Sequence, residues 1–227
     1  IIPFVYFLVK KKISKEVLLK LIIILLFGIF QAFLGWWMVE SGLYENPDVS
    51  QYRLAIHLSN ALVILFLIYW LILDIKSGKS KLKLNRNSLI FAVITITIIA
   101  GAIVAGMDAG LMYNTYPLMN EKFLPDDYFS LGILDPFENP GSAQFHHRHL
   151  GLISMILVMV FYYLNFRDVR IVKLLNVLVV LIIFQFTLGV IILLNYVPNF
   201  YASLHQIGAV LIFITFVKIL HSQGTFN

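Results

Sequence analysis

Six stretches of about twenty mostly apolar residues, 17–39, 54–73, 88–107, 149–166, 174–194 and 201–220, decide what this chain can fold into. Each is long enough to cross the hydrocarbon core of a bilayer as a helix. In lipid the backbone must satisfy its own hydrogen bonds, so helices with polar connections are the viable form for such segments. The expected fold is therefore all-α and integral to a membrane. Composition agrees, with 60% hydrophobic and only 13% charged residues, against about 25% charged in soluble domains. The opening residues 1–9 are apolar but too short to span, and they begin without Met. They read as the tail of a helix that starts upstream. A signal peptide is the rival, and it lacks both a preceding basic region and a cleavage site.

The net charge of +5 is not spread as a nucleic-acid-binding surface would need. Lys10, Lys11, Lys12, Lys15 and Lys20 precede the first span. Lys76, Lys79, Lys81, Lys83 and Arg86 follow the second, Arg167, Arg170 and Lys173 the fourth, and Lys218 ends the sixth. Alternate connections hold Arg53, Lys122 and Arg148 against Glu40, Glu45, Asp48, Glu121, Asp126, Asp127, Asp135 and Glu138. Basic connections stay on the cytoplasmic (or matrix) side, so one orientation satisfies every loop, with 111–143 outside. Trp36 and Trp37 then sit at the outer interface beside the polar turn 40–50, as an aromatic belt requires. The long outer stretch is rich in aromatics and proline, which marks a functional lid more often than slack. The chain has no Cys, which excludes disulfides, thiolate ligands and iron–sulfur clusters.

Two hexapeptides match: Phe30-Gln-Ala-Phe-Leu-Gly35 and Phe184-Gln-Phe-Thr-Leu-Gly189. Each precedes a turn and a span carrying a histidine, His57 with Ala61 one turn on, and His205 with Ala209 one turn on. An even number of spans separates the copies, so both point the same way, as in a parallel internal repeat about the membrane normal. A third histidine group, Gln144-Phe-His-His-Arg-His149, lies where the long polar loop becomes a span. Counting back from Phe30 by the separation of His147 and Phe184 falls upstream of residue 1. The expected whole is two pseudo-symmetric four-helix bundles, each with a histidine pair near the outer surface. The partner of His57 would lie on a preceding helix.

Ionisable groups at membrane depth usually face the protein interior and mark a site. Inward imidazoles on neighbouring helices suit the axial positions of a haem iron. Spacing alone leaves the ligand open among His146, His147 and His149: 146 and 149 share a face, and 147 is turned about 100° away. Zinc is disfavoured because no carboxylate or Cys stands at ligand spacing, and zinc sites need three or more protein ligands. Arg53 and Arg148, at the outer ends, could clamp haem propionates or anchor at lipid headgroups. His221, after the last apolar run, reads as surface. Gly101 and Gly106 read as points of close helix approach.

Val49-Ser-Gln-Tyr-Arg-Leu-Ala-Ile-His57, Ala105-Gly-Met-Asp-Ala-Gly-Leu-Met-Tyr-Asn-Thr-Tyr-Pro-Leu-Met119, Gln144-Phe-His-His-Arg148 and Leu204-His-Gln206 resemble haem A synthase of the mitochondrial and alphaproteobacterial branch. The resemblance covers the whole chain. It implies an eight-helix protein, of which six complete spans are present here. It implies division into 1–74, the remainder of the first half on the substrate haem side; 75–87, a cytoplasmic linker; and 88–227, the second half on the haem b side. A QFxHR motif maps one haem b ligand to His147, and the last-helix histidine, His205, supplies the other. His57 would face the substrate haem O, while the catalytic residues are expected upstream of this chain. The implied activity is oxidation of the C8 methyl of haem O to a formyl by successive hydroxylations, with haem b as cofactor carrying electrons. A haem O synthase partner and a homo-oligomer are further expectations, as is a bacterial plasma (inner) membrane, or alternatively the mitochondrial inner membrane. The rivals are a b-type cytochrome in quinone-linked electron transfer and a non-catalytic haem carrier or oxidase assembly factor.

Overall fold

A computed structural model describes residues 2–40 and 49–224. The described residues fold into α1 (Ile2–Val9), α2 (Lys15–Glu40), α3 (Gln51–Ser77), α4 (Arg86–Gly106), a short α5 (Asp135–Glu138), α6 (Pro140–Asn165), α7 (Val172–Leu194) and α8 (Asn199–Gly224). Six of these are long and apolar enough to cross a membrane, and the protein is an all-α, multi-pass membrane protein. The polar turn at 41–48, with Glu45 and Asp48, lies outside the described residues.

Local chemistry sets the helix starts. At α4, the Asn85 side chain accepts from Asn87 N and Ser88 N at 2.9 and 3.2 Å, while Asn85 N donates to Ser88 Oγ at 2.8 Å. This reciprocal box satisfies otherwise orphaned amides. At α6, Asn139 accepts from Ser142 N at 3.2 Å and Pro140 takes the first helical position, where its missing N–H costs nothing. That start corrects the sequence reading. The histidine group does not stand at the loop–helix boundary but one to two turns inside α6, and residues 141–145 before it are buried.

Helices α4, α6, α7 and α8 close a ring in which α6 packs on α7, α7 on α8, α8 on α4 and α4 on α6. Helices α6 and α8 are therefore diagonal. The half of this ring towards the basic connections is filled by Ile90, Ile94, Val158, Phe161, Leu178 and Phe216, with the last of these stacked on Phe161 at 5.5 Å. Helix α3 lies against α4 and α8, and α2 against α3. Helix α2 leaves Leu19, Ile22, Leu26, Ile29 and Phe33 exposed. Between helices in lipid there is no hydrophobic drive to hide such a face, because the tails are equally apolar.

The 107–139 connection is a folded cap over one end of the ring. Tyr113, Met119 and Phe145 form its small core against Tyr128. It is tied down by Gln144 Nε2 donating to Gly110 O and Tyr113 O, both at 3.2 Å, and by Asn114 Nδ2 donating to Leu193 O at 2.8 Å. Tyr52 OH bonds Glu138, and Gln51 Nε2 donates to Phe137 O at 3.3 Å. Gly106 is required where α4 meets α3, since a Cβ there would stand 2.5 Å from Gln51 Cα.

At the opposite end a polar hub joins α2, α3 and α8. Asp74 accepts from Lys20 Nζ at 2.8 Å, from His221 Nε2 at 3.0 Å and from Ser80 N at 3.1 Å. His221 is inside α8, 2% exposed, with its ring 5.0 Å from Trp70. The expectation of a surface His221 is therefore wrong. An imidazole is tolerated in this interior because a carboxylate on a distant helix satisfies it.

Candidate functional site

Three imidazoles each lie against a glycine of a neighbouring helix. A Cβ built on Gly35 of α2 would meet His57 Cε1 at 3.2 Å, one on Gly101 of α4 would meet His147 Cε1 at 3.0 Å, and one on Gly189 of α7 would meet His205 Cε1 at 3.1 Å. Without a side chain there, each ring lies close on the backbone of its neighbour.

One turn before each glycine stands a polar residue that addresses the same histidine. Gln31 Nε2 donates to His57 O at 3.2 Å, and Gln185 Nε2 donates to His205 O at 2.8 Å. The two copies of the FQxxLG sequence thus make the same pair of contacts, with Gln holding the histidine's carbonyl and Gly receiving its ring. At the third site the polar partner is the carbonyl of Thr97, 3.1 Å from His147 Nδ1. A carbonyl only accepts, so Nδ1 carries the proton and Nε2 keeps its lone pair, the state a metal-bound imidazole needs. The Thr97–Gly101 pair escapes the repeat search because it shares only the spacing, a polar residue and Gly one turn apart. That spacing, repeated on three helices, is the signal that finds it.

Helix α6 carries His147 and α8 carries His205, so the two histidines stand on diagonal helices of the ring. His205 Nδ1 is buried with no partner among the described residues.

The rest of the α6 group points elsewhere. His149 Nδ1 donates to Phe145 O at 2.8 Å, within its own helix, and its ring packs 4.0 Å from Phe145. His146 lies 5.8 Å from Tyr128 of the cap. The geometry separates what the spacing left open: His147 turns to α4 and the interior, and His146 and His149 to the cap. The arginines hold backbone. Arg148 donates to Thr115 O at 3.0 Å and also binds Tyr113 O, and its buried Nε has no partner among the described residues. Arg53 donates to Trp37 O at 2.7 Å with its guanidinium 4.7 Å from the Trp37 ring.

The COX15-CtaA family model, described as cytochrome oxidase assembly protein, matches residues 1–217. The chain belongs to this family. Among curated relatives it is 42% identical to a protein named Heme A synthase from Wolbachia pipientis wMel, over 99% of this chain and 67% of the relative. It is 41% identical to a protein of that name from Pelagibacter ubique, over 86% of this chain and 59% of the relative. A third, from Nitrosospira multiformis, is 39% identical over 97% of this chain and 65% of the relative. No solved structure matches the chain. The chain spans about two thirds of the length of the curated relatives it matches.

For this member of the cytochrome oxidase assembly family, the second-half residues fit a haem. His147 has its Nδ1–H fixed on Thr97 O, which leaves the Nε2 lone pair for a metal, and His205 stands on the diagonal helix. Gly101 and Gly189 leave beside each ring a space that a Cβ would fill.

Proposed function

We propose that this protein is a haem A synthase. It converts the C8 methyl of haem O to a formyl by successive hydroxylations, a net oxidation whose oxidant comes from outside the chain. His147 and His205 hold haem b, and His57 faces the substrate. The single observation that carries the reading is the duplicated arrangement of Gln, Gly and His, at Gln31–Gly35–His57 and Gln185–Gly189–His205, in a chain whose matched relatives bear that name.

A haem b held by His147 and His205 would supply one-electron transfer. The chain's own residues do the rest. Thr97 O keeps the His147 proton on Nδ1, so the ring presents its lone pair inward. The cap over the ring, pinned by Arg148 and Gln144, keeps water from the histidine level. The unpartnered Nε of Arg148, and the guanidinium of Arg53 beyond its Trp37 bond, supply donors for propionates.

The halves 1–74 and 88–227, joined by 75–87, divide the work between substrate and electron carrier. Residues 76–87 and 167–173 face the cytoplasm and the cap faces out, in the plasma membrane of a bacterium. A haem O synthase supplying the substrate, and a homo-oligomer, belong to the same proposal. The test is a pigment extract from cells that make haem O and no haem A, complemented with the full-length gene. Appearance of haem A at the expense of haem O is expected. Haem b alone would assign the protein to electron transfer or haem carriage instead.

A further inference from the structure

One turn before each glycine, a side chain ties its own helix to the helix of the histidine. Gln31 and Gln185 do so through the histidine's carbonyl. On α4 the residue is Thr97, whose hydroxyl meets that of Ser154 on α6 at 2.9 Å. We propose that Thr97 and Ser154 are positioning residues for His147: their hydroxyl bond fixes α4 against α6, so that the Thr97 carbonyl holds the His147 proton on Nδ1. The consequence for an iron rests on the haem-binding reading of His147, whereas the place of the proton does not.

Thr97 touches α6 with both of its ends. Its carbonyl lies 3.1 Å from His147 Nδ1, and its Oγ1 lies 2.9 Å from Ser154 Oγ and 3.4 Å from Leu150 O. Leu150 and Ser154 follow His147 by about one and two turns of α6, on the same face. A helix carbonyl points towards the C-terminus of its helix, and the side chain leans towards the N-terminus. Helix α4 runs towards the cap and α6 runs away from it. One residue therefore reaches His147 with its carbonyl and, further from the cap, Ser154 with its hydroxyl. Gly101 keeps that carbonyl open, because a side chain at 101 would lean over the turn that holds Thr97. The carbonyl has two lone pairs, one for its own helix and one for the ring.

Proton accounting makes the two hydroxyls a pair. Val93 O, 2.9 Å from Thr97 Oγ1, can only accept, and it takes the Thr97 proton. Thr97 Oγ1 then accepts from Ser154, a residue only 2% exposed. Further from the cap, the core that α4 and α6 share is apolar, with Ile90, Ile94 and Val158. Such packing holds two helices together, but a buried polar pair is what specifies one arrangement of them. A slide of one residue is about 1.5 Å, against a range of roughly 0.5 Å over which an N–H···O bond stays good. Either hydroxyl can be removed without stranding the other. In Thr97→Val the Ser154 proton turns to Leu150 O, four residues back in its own helix. In Ser154→Ala, Thr97 keeps Val93 O.

The full-length protein is purified with its haem, and the haem whose low-spin spectrum is missing in His147→Gln is followed by redox titration. An imidazole whose other nitrogen donates a hydrogen bond is the more basic ligand and favours ferric iron. Thr97→Val and Ser154→Ala are each expected to shift the equilibrium about fivefold towards ferrous iron, the size of one net hydrogen bond, or about 40 mV upward for one electron. Thr97→Ser keeps the hydroxyl and is expected at the wild-type potential. In haem-free full-length protein, the ring-nitrogen NMR signals of His147 should report Nδ1–H in the wild type and a mixture of both tautomers in Thr97→Val. A purely structural pair would lower the thermal midpoint and move neither readout. An unmoved potential or an unmoved tautomer in Thr97→Val therefore overturns the inference, as does a Thr97→Ser protein that behaves like Thr97→Val. A wild type with no low-spin haem spectrum fails at the haem reading instead, and the tautomer alone then upholds or overturns the positioning role.

Discussion

At the scale of single residues, the site depends on groups that are not there. The imidazoles of His147 and His205 reach their places because Gly101 and Gly189 have no Cβ. Gly101→Val or Gly189→Val inserts carbon at about the position of the ring, and overpacking of this kind costs roughly 1–3 kcal/mol. The expected result is a loss of haem affinity of about ten- to a hundredfold, read from the low-spin spectrum during haem titration. His146→Gln and His149→Gln should leave that spectrum in place, because those rings belong to the cap. The histidines themselves were legible from sequence through their depth and the FQxxLG match. Spacing did not identify the inward ring in the α6 group, because His146, His147 and His149 spread over about 160° of the helix; only the QFxHR resemblance pointed to His147. In the fold, the Thr97 carbonyl and Gly101 on α4 receive His147, while Phe145 O and Tyr128 take His149 and His146. His221 was misread for a similar reason. Its partner Asp74 lies on a distant helix, and no periodicity in α8 reports it.

At the scale of elements, the 107–139 cap hangs on a buried carboxylate. Asp135 accepts from Phe129 N at 2.8 Å, Leu131 N at 3.2 Å and Asn139 Nδ2 at 3.3 Å. Burial by itself would raise its pKa, but these N–H donors outweigh it and hold the carboxyl below the ordinary aspartate value. A depressed folded pKa gives stability that is complete above the unfolded value and is lost as the pH falls through the folded one. The cap should therefore resist limited proteolysis at neutral pH and loosen below about pH 4. Asp135→Asn should make cleavage within 107–139 faster at neutral pH and remove its acid dependence. Equal cleavage of variant and parent would remove Asp135 from the account. The start of α6 was misplaced from sequence because hydropathy finds the lipid-facing part of a helix. Its first two turns are buried by the cap, and the true signal was Asn139 followed by Pro140.

At the scale of the molecule, the cap covers one end of the ring and a polar hub fastens the helices at the other. The Lys20–Asp74–His221 hub links α2 and α3 to α8, and both Asp74 and His221 are almost wholly buried, at 6% and 2% side-chain exposure. Removing one member strands the others, which costs on the order of 3 kcal/mol in a buried pair. Asp74→Ala should lower the thermal midpoint in detergent by several degrees; an unchanged midpoint would mean the hub holds nothing. The six spans were legible because lipid imposes them on any chain of this composition, whereas the hub required the fold. The central claim is the division of labour between the histidine sites, and full-length His57→Ala tests it most directly, through the pigments of cells carrying it and the reduced spectrum of the purified protein. The account predicts no haem A, accumulation of haem O or a hydroxylated intermediate, and a retained low-spin haem b spectrum. A variant that loses that spectrum while still making haem A would contradict it.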